Sequence, residues 1–105
     1  MSGAERIAKE RRRQIEKEGW TPGHDNKHNG SELALAAVCY AAPERVYVQR
    51  VAHGGVAFVD PWPWSSSWDK RSTRKRPTRA ERVRMLEKAG ALIAAEIDRL
   101  LRGVR

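Results

Sequence analysis

One cysteine in 105 residues allows neither an internal disulfide nor a paired-cysteine zinc site. Phenylalanine occurs once and tyrosine twice, so four tryptophans carry most of the aromatic character. Long apolar runs are missing. The longest, Leu33–Tyr40 and Ala89–Ala95, fall far short of the roughly 20 residues that a membrane span needs. The opening Met1-Ser2-Gly3-Ala4-Glu5-Arg6 is polar and helix-forming and has no secretory core. A cytoplasmic protein without membrane association is therefore expected. The length suits one domain, whose modest core is not expected to enclose a deep active site. An apolar content of 40% is enough for a globular fold and excludes a disordered basic tail.

Acids are also scarce: 13 Asp and Glu stand against 21 Lys and Arg, a net charge of +8. The excess is local. Residues 70–84 carry Lys70, Arg71, Arg74, Lys75, Arg76, Arg79, Arg82 and Arg84 against Glu81 alone, seven of the eight net charges. The rest of the chain is nearly neutral. Such a run is either a solvated loop and helix start or a surface that faces phosphate.

Three helices are marked by one spacing, Ser2-x-x-Glu5, Asn29-x-x-Glu32 and Thr78-x-x-Glu81, with the capping side chain three residues before a carboxylate. The first helix, about 3–18, is mostly charged, with a narrow apolar stripe of Ala4, Ile7, Ala8 and Ile15, and Gly19 ends it. Trp20-Thr21-Pro22-Gly23 turns the chain into a polar loop over 24–30. The second helix, about 31–42, is apolar nearly all round and reads as the central buried helix, stopped by Pro43. Residues 45–51 and 56–60 are rich in β-branched and aromatic side chains around Ala52-His53-Gly54-Gly55, the pattern of a hairpin over 45–60. A lone hairpin is marginal in water, so it is expected to lean on the helices or on another subunit. Residues 61–77 form a Trp-rich, then basic, connector. The last helix, about 79–102, repeats Leu86, Ala89, Ile93, Ile97 and Leu100 at spacings of three and four, which predicts its buried face. The expected fold is a single α+β domain of three main helices and one hairpin.

The candidate chemistry is sparse. His24-Asp25-x-x-His28 can hold a metal or supply an acid–base pair, or else makes turn hydrogen bonds in its loop. Trp62, Trp64 and Trp68 fall within seven residues, two of them alternating with proline, and the basic run follows directly. Indole faces beside guanidinium groups suit base stacking and phosphate neutralisation; the same rings equally suit a core or a subunit interface. On the ligand reading, Trp62, Trp64 and Trp68 stack on a base and Arg71, Arg74 and Lys75 face phosphate. Arg11, Arg13, Trp20 and His24 are candidates for the opposite wall. Glu96 on the apolar side of the last helix wants a cation, which Arg11 or Arg13 is placed to supply. Cys39, flanked by apolar residues, reads as an inert core thiol. With no phosphate-cradling glycine loop and no interpretable nucleophile arrangement, an enzyme is not expected, nor is a cofactor or a metal.

Several segments form one pattern: Glu10-Arg11-x-Arg13-Gln14, Glu18-Gly19-Trp20-Thr21, His24-Asp25-x-x-His28, Pro61-Trp62-Pro63-Trp64 and Lys88-Ala89-Gly90-Ala91-Leu92-Ile93-x-Ala95-Glu96-Ile97-x-Arg99-Leu100. The chain thereby resembles a group of small phage and prophage proteins, and through them the Thoeris anti-defence 1 sponges. The hairpin and residues 71–77 belong less securely to the pattern. The resemblance implies a homo-oligomer that sequesters a small anionic nucleotide signal, a cyclic ADP-ribose isomer or a cyclic oligonucleotide, without cleaving it. No binding residue is carried over from that family. The alternative, resting on the basic run alone, is an interaction protein for nucleic acid or an acidic protein, with salt-sensitive affinity.

Overall fold

The computed structural model describes residues 1–20, 23 and 31–103. Its element order is α1 (Gly3–Glu18), α2 (Glu32–Ala41), β1 (Val48–Ala52), β2 (Gly55–Val59), a single 3-10 turn (Ser66–Trp68) and α3 (Arg79–Leu101). The α+β class follows as expected.

Two of the three helix starts are built by the spacing that marks them. Ser2 Oγ accepts the Glu5 N–H at 3.1 Å while the Glu5 carboxylate takes the Ser2 N–H at 3.0 Å. Thr78 and Glu81 repeat the exchange at 3.1 and 2.8 Å. Each pair satisfies amides that the first helical turn leaves unpaired. The N-cap of α2 is Ser31, in the left-handed region with φ 72° and with no capping hydrogen bond from its own side chain; Asn29 lies outside the described residues. Gly19 ends α1 at φ 70°, a conformation that a Cβ would strain.

α3, not α2, is the central element. Both α1 and α2 pack against α3, and α2 leaves Leu35 and Val38 exposed. The core is Leu33, Ala36, Ala37 and Tyr40 of α2 against Met85, Ala89, Leu92 and Ala95 of α3, closed at one end by Trp20. Small alanines on both helices let the backbones approach closely. α1 reaches α3 at Gly90, where a Cβ would lie 2.5 Å from Ile7 Cδ1.

Two expected faces are corrected. In α1 the fully buried side chains are Glu10 and Gln14, while Ala4 and Ala8 face solvent. In α3 the repeating Leu86, Ile93, Ile97 and Leu100 are exposed, and only Ala89 of that stripe is buried. A helix with apolar residues on two sides has two possible inner faces, and the alanine-rich one wins because it permits the closest packing.

The hairpin pairs Val48 with Val59 through Ala52 with Gly55, across a tight turn at His53-Gly54 in which Gly54 has φ 82°. It does not lean on the helices: every strand residue except Val48 is exposed. Among the described residues no helix is long and apolar enough to cross a membrane.

Candidate anion-binding cleft

The connector after β2 folds back onto the core. Trp64 stands edge-to-face with Trp20 (5.7 Å between centroids) and with Trp62 (5.5 Å), and Trp62 with Tyr40 (5.5 Å). Offset of this kind suits the quadrupoles of the rings. The Trp62 indole N–H donates to the Ser65 carbonyl at 3.0 Å, and the Tyr40 hydroxyl accepts the Lys70 N–H at 3.0 Å. These rings pack on the core, the edge of one meeting the face of the next. Trp62 and Trp64 are partly buried and pack against the core, and neither lines the cleft described below. Burial pushes the Tyr40 phenol up to about 12.

Arg71 fastens this segment. Its side chain is only 4% exposed. Nη2 reaches Asp69 at 2.7 Å and Asp60 at 2.8 Å, and Nε reaches Asp69 at 3.0 Å. Asp60 and Asp69 bracket the tryptophan segment, so one guanidinium ties its two ends together and lies 5.4 Å from the Trp62 ring centroid. Burial works to raise both aspartates, but hydrogen bonds and charge from Arg71 outweigh it and hold them below the usual range. Arg71 is thus a structural cation first. The sequence signal was legible, an aspartate at each end of a Pro-Trp run and an arginine two residues on, but the basic count hid it.

Beside this fastening lies an open cleft of about 460 Å³ between the C-terminal end of α2 and the strap 71–77. That volume is within the range of small-ligand sites. Ala42, Pro43, Pro77 and Met85 supply apolar wall, and the exposed Tyr47 ring stands at its rim. Its cations are Arg45, Arg71, Arg74 and Lys75, with Glu44 the acid among the described lining residues. Among the described residues Arg74 meets only Glu81 as an ion-pair partner, at 3.5 Å, and the exposed Lys75 side chain makes no ion pair. Arg71 Nη1 is buried without a hydrogen-bond partner, the one nitrogen of that guanidinium not engaged by the aspartates. Cys39 also borders the cleft, buried, and burial pushes its thiol up, away from the reactive thiolate.

The basic run thus divides. Arg82 donates to the Ala41 carbonyl at 2.9 Å and the Ala42 carbonyl at 3.0 Å, closing the C-terminus of α2. Arg84 reaches Glu10 at 2.6 Å. Lys75, Arg76 and Arg79 stay exposed.

Of the residues considered for an opposite wall, none described lines this cleft. Arg11 donates to the Trp20 carbonyl at 3.2 Å, Trp20 is in the core, and Arg13 chelates Glu10 at 2.8 Å and reaches Glu18 at 2.9 Å. His24, Asp25 and His28 lie outside the described residues. Trp68 is half exposed but borders a different cavity of about 20 Å³, with Gln14 and Lys70. Glu96 pairs with Arg99 at 2.6 Å, not with Arg11 or Arg13. The buried carboxylate that needed cations is Glu10 instead, 1% exposed and met by Arg13, by Arg84 and by Lys88 at 3.8 Å. Among the described residues no cluster of His, Cys, Asp or Glu is arranged to hold a metal ion.

Compared with protein-family models, with curated proteins and with solved structures, the chain matches none.

Proposed function

We propose that this protein is a non-enzymatic binder of a small anionic nucleotide, held in the cleft between α2 and the 71–77 strap. The observation that carries this reading is the composition of that cleft: Lys75 exposed beside Arg74, Arg45 and Arg71, the last two shared with Asp60 and Asp69 and Arg74 with Glu81, with an aromatic ring at the rim and an apolar wall. Lys75 and Arg74 meet phosphate, and Tyr47 offers a face to a base. Arg71, held by Asp60 and Asp69, supplies a preorganised positive wall at little ordering cost. Binding rather than turnover is favoured because the thiol bordering the cleft is buried and shifted toward its neutral form. In line with the resemblance to phage sponges, the proposed role is sequestration of a host immune signal, a cyclic ADP-ribose isomer or cyclic oligonucleotide, by a homo-oligomer in the host cytoplasm.

Calorimetry with cyclic ADP-ribose isomers and cyclic di- and trinucleotides tests the reading. At least one of them binds, and Lys75→Glu and Tyr47→Ala each weaken it tenfold or more while the circular dichroism spectrum is unchanged. No binding by any of these compounds refutes it.

The exposure of Lys75, Arg76 and Arg79 favours a second reading, contact with a nucleic-acid strand. Three phosphate contacts give a slope of log affinity against log salt of about −2 to −3. Affinity independent of salt counts against it.

A further inference from the structure

Two apolar faces lie open on the described residues, and neither touches the other. The first is on the hairpin. Strand alternation and the 49–58 and 51–56 pairings put Val51, Val56 and Phe58 on one face, beside Gln49. Val51 is 85% exposed and Phe58 70%, and the sheet has no substantial contact with any described helix. The second is the stripe Leu86, Ile93, Ile97 and Leu100 of α3, continued by Leu101, all exposed. Its spacing of seven, four and three keeps it on one side of the helix, away from the face used by the core.

Their sizes matter. Scaled by these exposures, each face leaves about 400 Å² of side chain open, the size of the largest apolar patches on a monomer. A two-stranded hairpin with both faces in water is also marginal by itself, so its order calls for a cover.

We propose that a second copy of this chain covers both faces. The Val51–Phe58 face of each hairpin lies on the Leu86–Leu100 stripe of the other copy, related by a two-fold axis so that the contact occurs twice. Pairing both faces reciprocally removes about 1,600 Å² from water, the size of a standard stable interface. Pairing hairpin with hairpin alone would remove only about half of that and leave the α3 stripe bare. Tyr47 and Arg45 immediately precede β1 and line the cleft, so the second copy also approaches the cleft's open rim. The proposal rests on the oligomeric part of the reading above and not on the ligand.

Sedimentation equilibrium at micromolar concentration and without nucleotide tests it, so a failed association is separable from failed ligand binding. The native protein sediments at twice its 11.9 kDa chain mass. Phe58→Asp and Ile97→Asp, both at exposed positions, each sediment as monomers with unchanged helical circular dichroism. Mixing the two variants restores dimers, because one native hairpin then meets one native stripe while both substitutions fall in the other contact. A monomeric native protein, a variant that stays dimeric, or a mixture that stays monomeric overturns the proposal. The last of these outcomes points to like-with-like pairing instead.

Discussion

Replacing Glu10 with glutamine removes the one carboxylate among the described residues that is buried between α1 and α3, while keeping its shape. Three cations lose their common anion: Arg13 at 2.8 Å, Arg84 at 2.6 Å and Lys88 at 3.8 Å. Breaking a fully buried pair costs about 3–5 kcal/mol, and the partial exposure of Arg13 and Arg84 lowers that to about 2–3 kcal/mol. A second route reaches a similar figure. Burial raises the Glu10 carboxyl, but hydrogen bonds from Arg13 and Arg84 and the charge of Lys88 prevail and hold it at about 2, against an ordinary 4.5. At about 1.4 kcal/mol per unit, discounted for solvent screening, this corresponds again to about 2–3 kcal/mol. The folded value is the lower one, so the contribution is complete above about pH 4.5 and is lost as pH falls through about 2. Thermal melts followed by circular dichroism therefore show Glu10→Gln about 10–20 °C below the native protein near neutral pH. The gap closes toward about pH 2, where the native chain loses the same interaction. A gap of less than about 3 °C near neutral pH refutes the reasoning, and so does a large gap that persists in acid.

Arg71→Met leaves Asp60 and Asp69 with Arg45, at 3.3 and 3.4 Å, as their cation and with the backbone N–H groups of residues 62 and 71, and lowers stability by about 2–4 kcal/mol in urea unfolding. Both aspartates are held below their ordinary values, so the penalty is present near neutral pH and shrinks as acid protonates them; a penalty that grows in acid contradicts the assignment. Gly90→Ala pushes a methyl group into Ile7 and costs about 1–2 kcal/mol despite alanine's better helix propensity. Ile7→Ala in the same chain recovers most of that clash, which a double-mutant cycle reads directly; strict additivity would mean that the two do not meet.

Local signals fared well in this chain because their causes are local. Capping boxes at Ser2 and Thr78, the left-handed Gly19 and the turn at His53-Gly54 depend on atoms within a few residues of one another. The bounds of α1 and the existence of the hairpin follow from these. The candidate site was legible only in part. Arg74, Lys75 and Arg71 do lie together on one cleft, yet the aromatic ring beside them is Tyr47, not a tryptophan.

What the linear pattern could not supply was the choice among equivalents. α3 has two apolar sides, and only its packing against α2 and α1 decides that Met85, Leu92 and Ala95 turn inward while Ile93 and Ile97 stay outside. The eight cations of 70–84 look alike in order. Their partners are distant: Arg71 meets Asp60, Arg82 the end of α2, and Arg84 a glutamate 74 positions earlier. Composition and spacing determined a basic α+β domain of capped helices with a hairpin. Tertiary structure alone decided which charges are neutralised inside and which stay exposed, because the pairing of a long cation depends on which carboxylate or carbonyl the fold brings within about 3 Å.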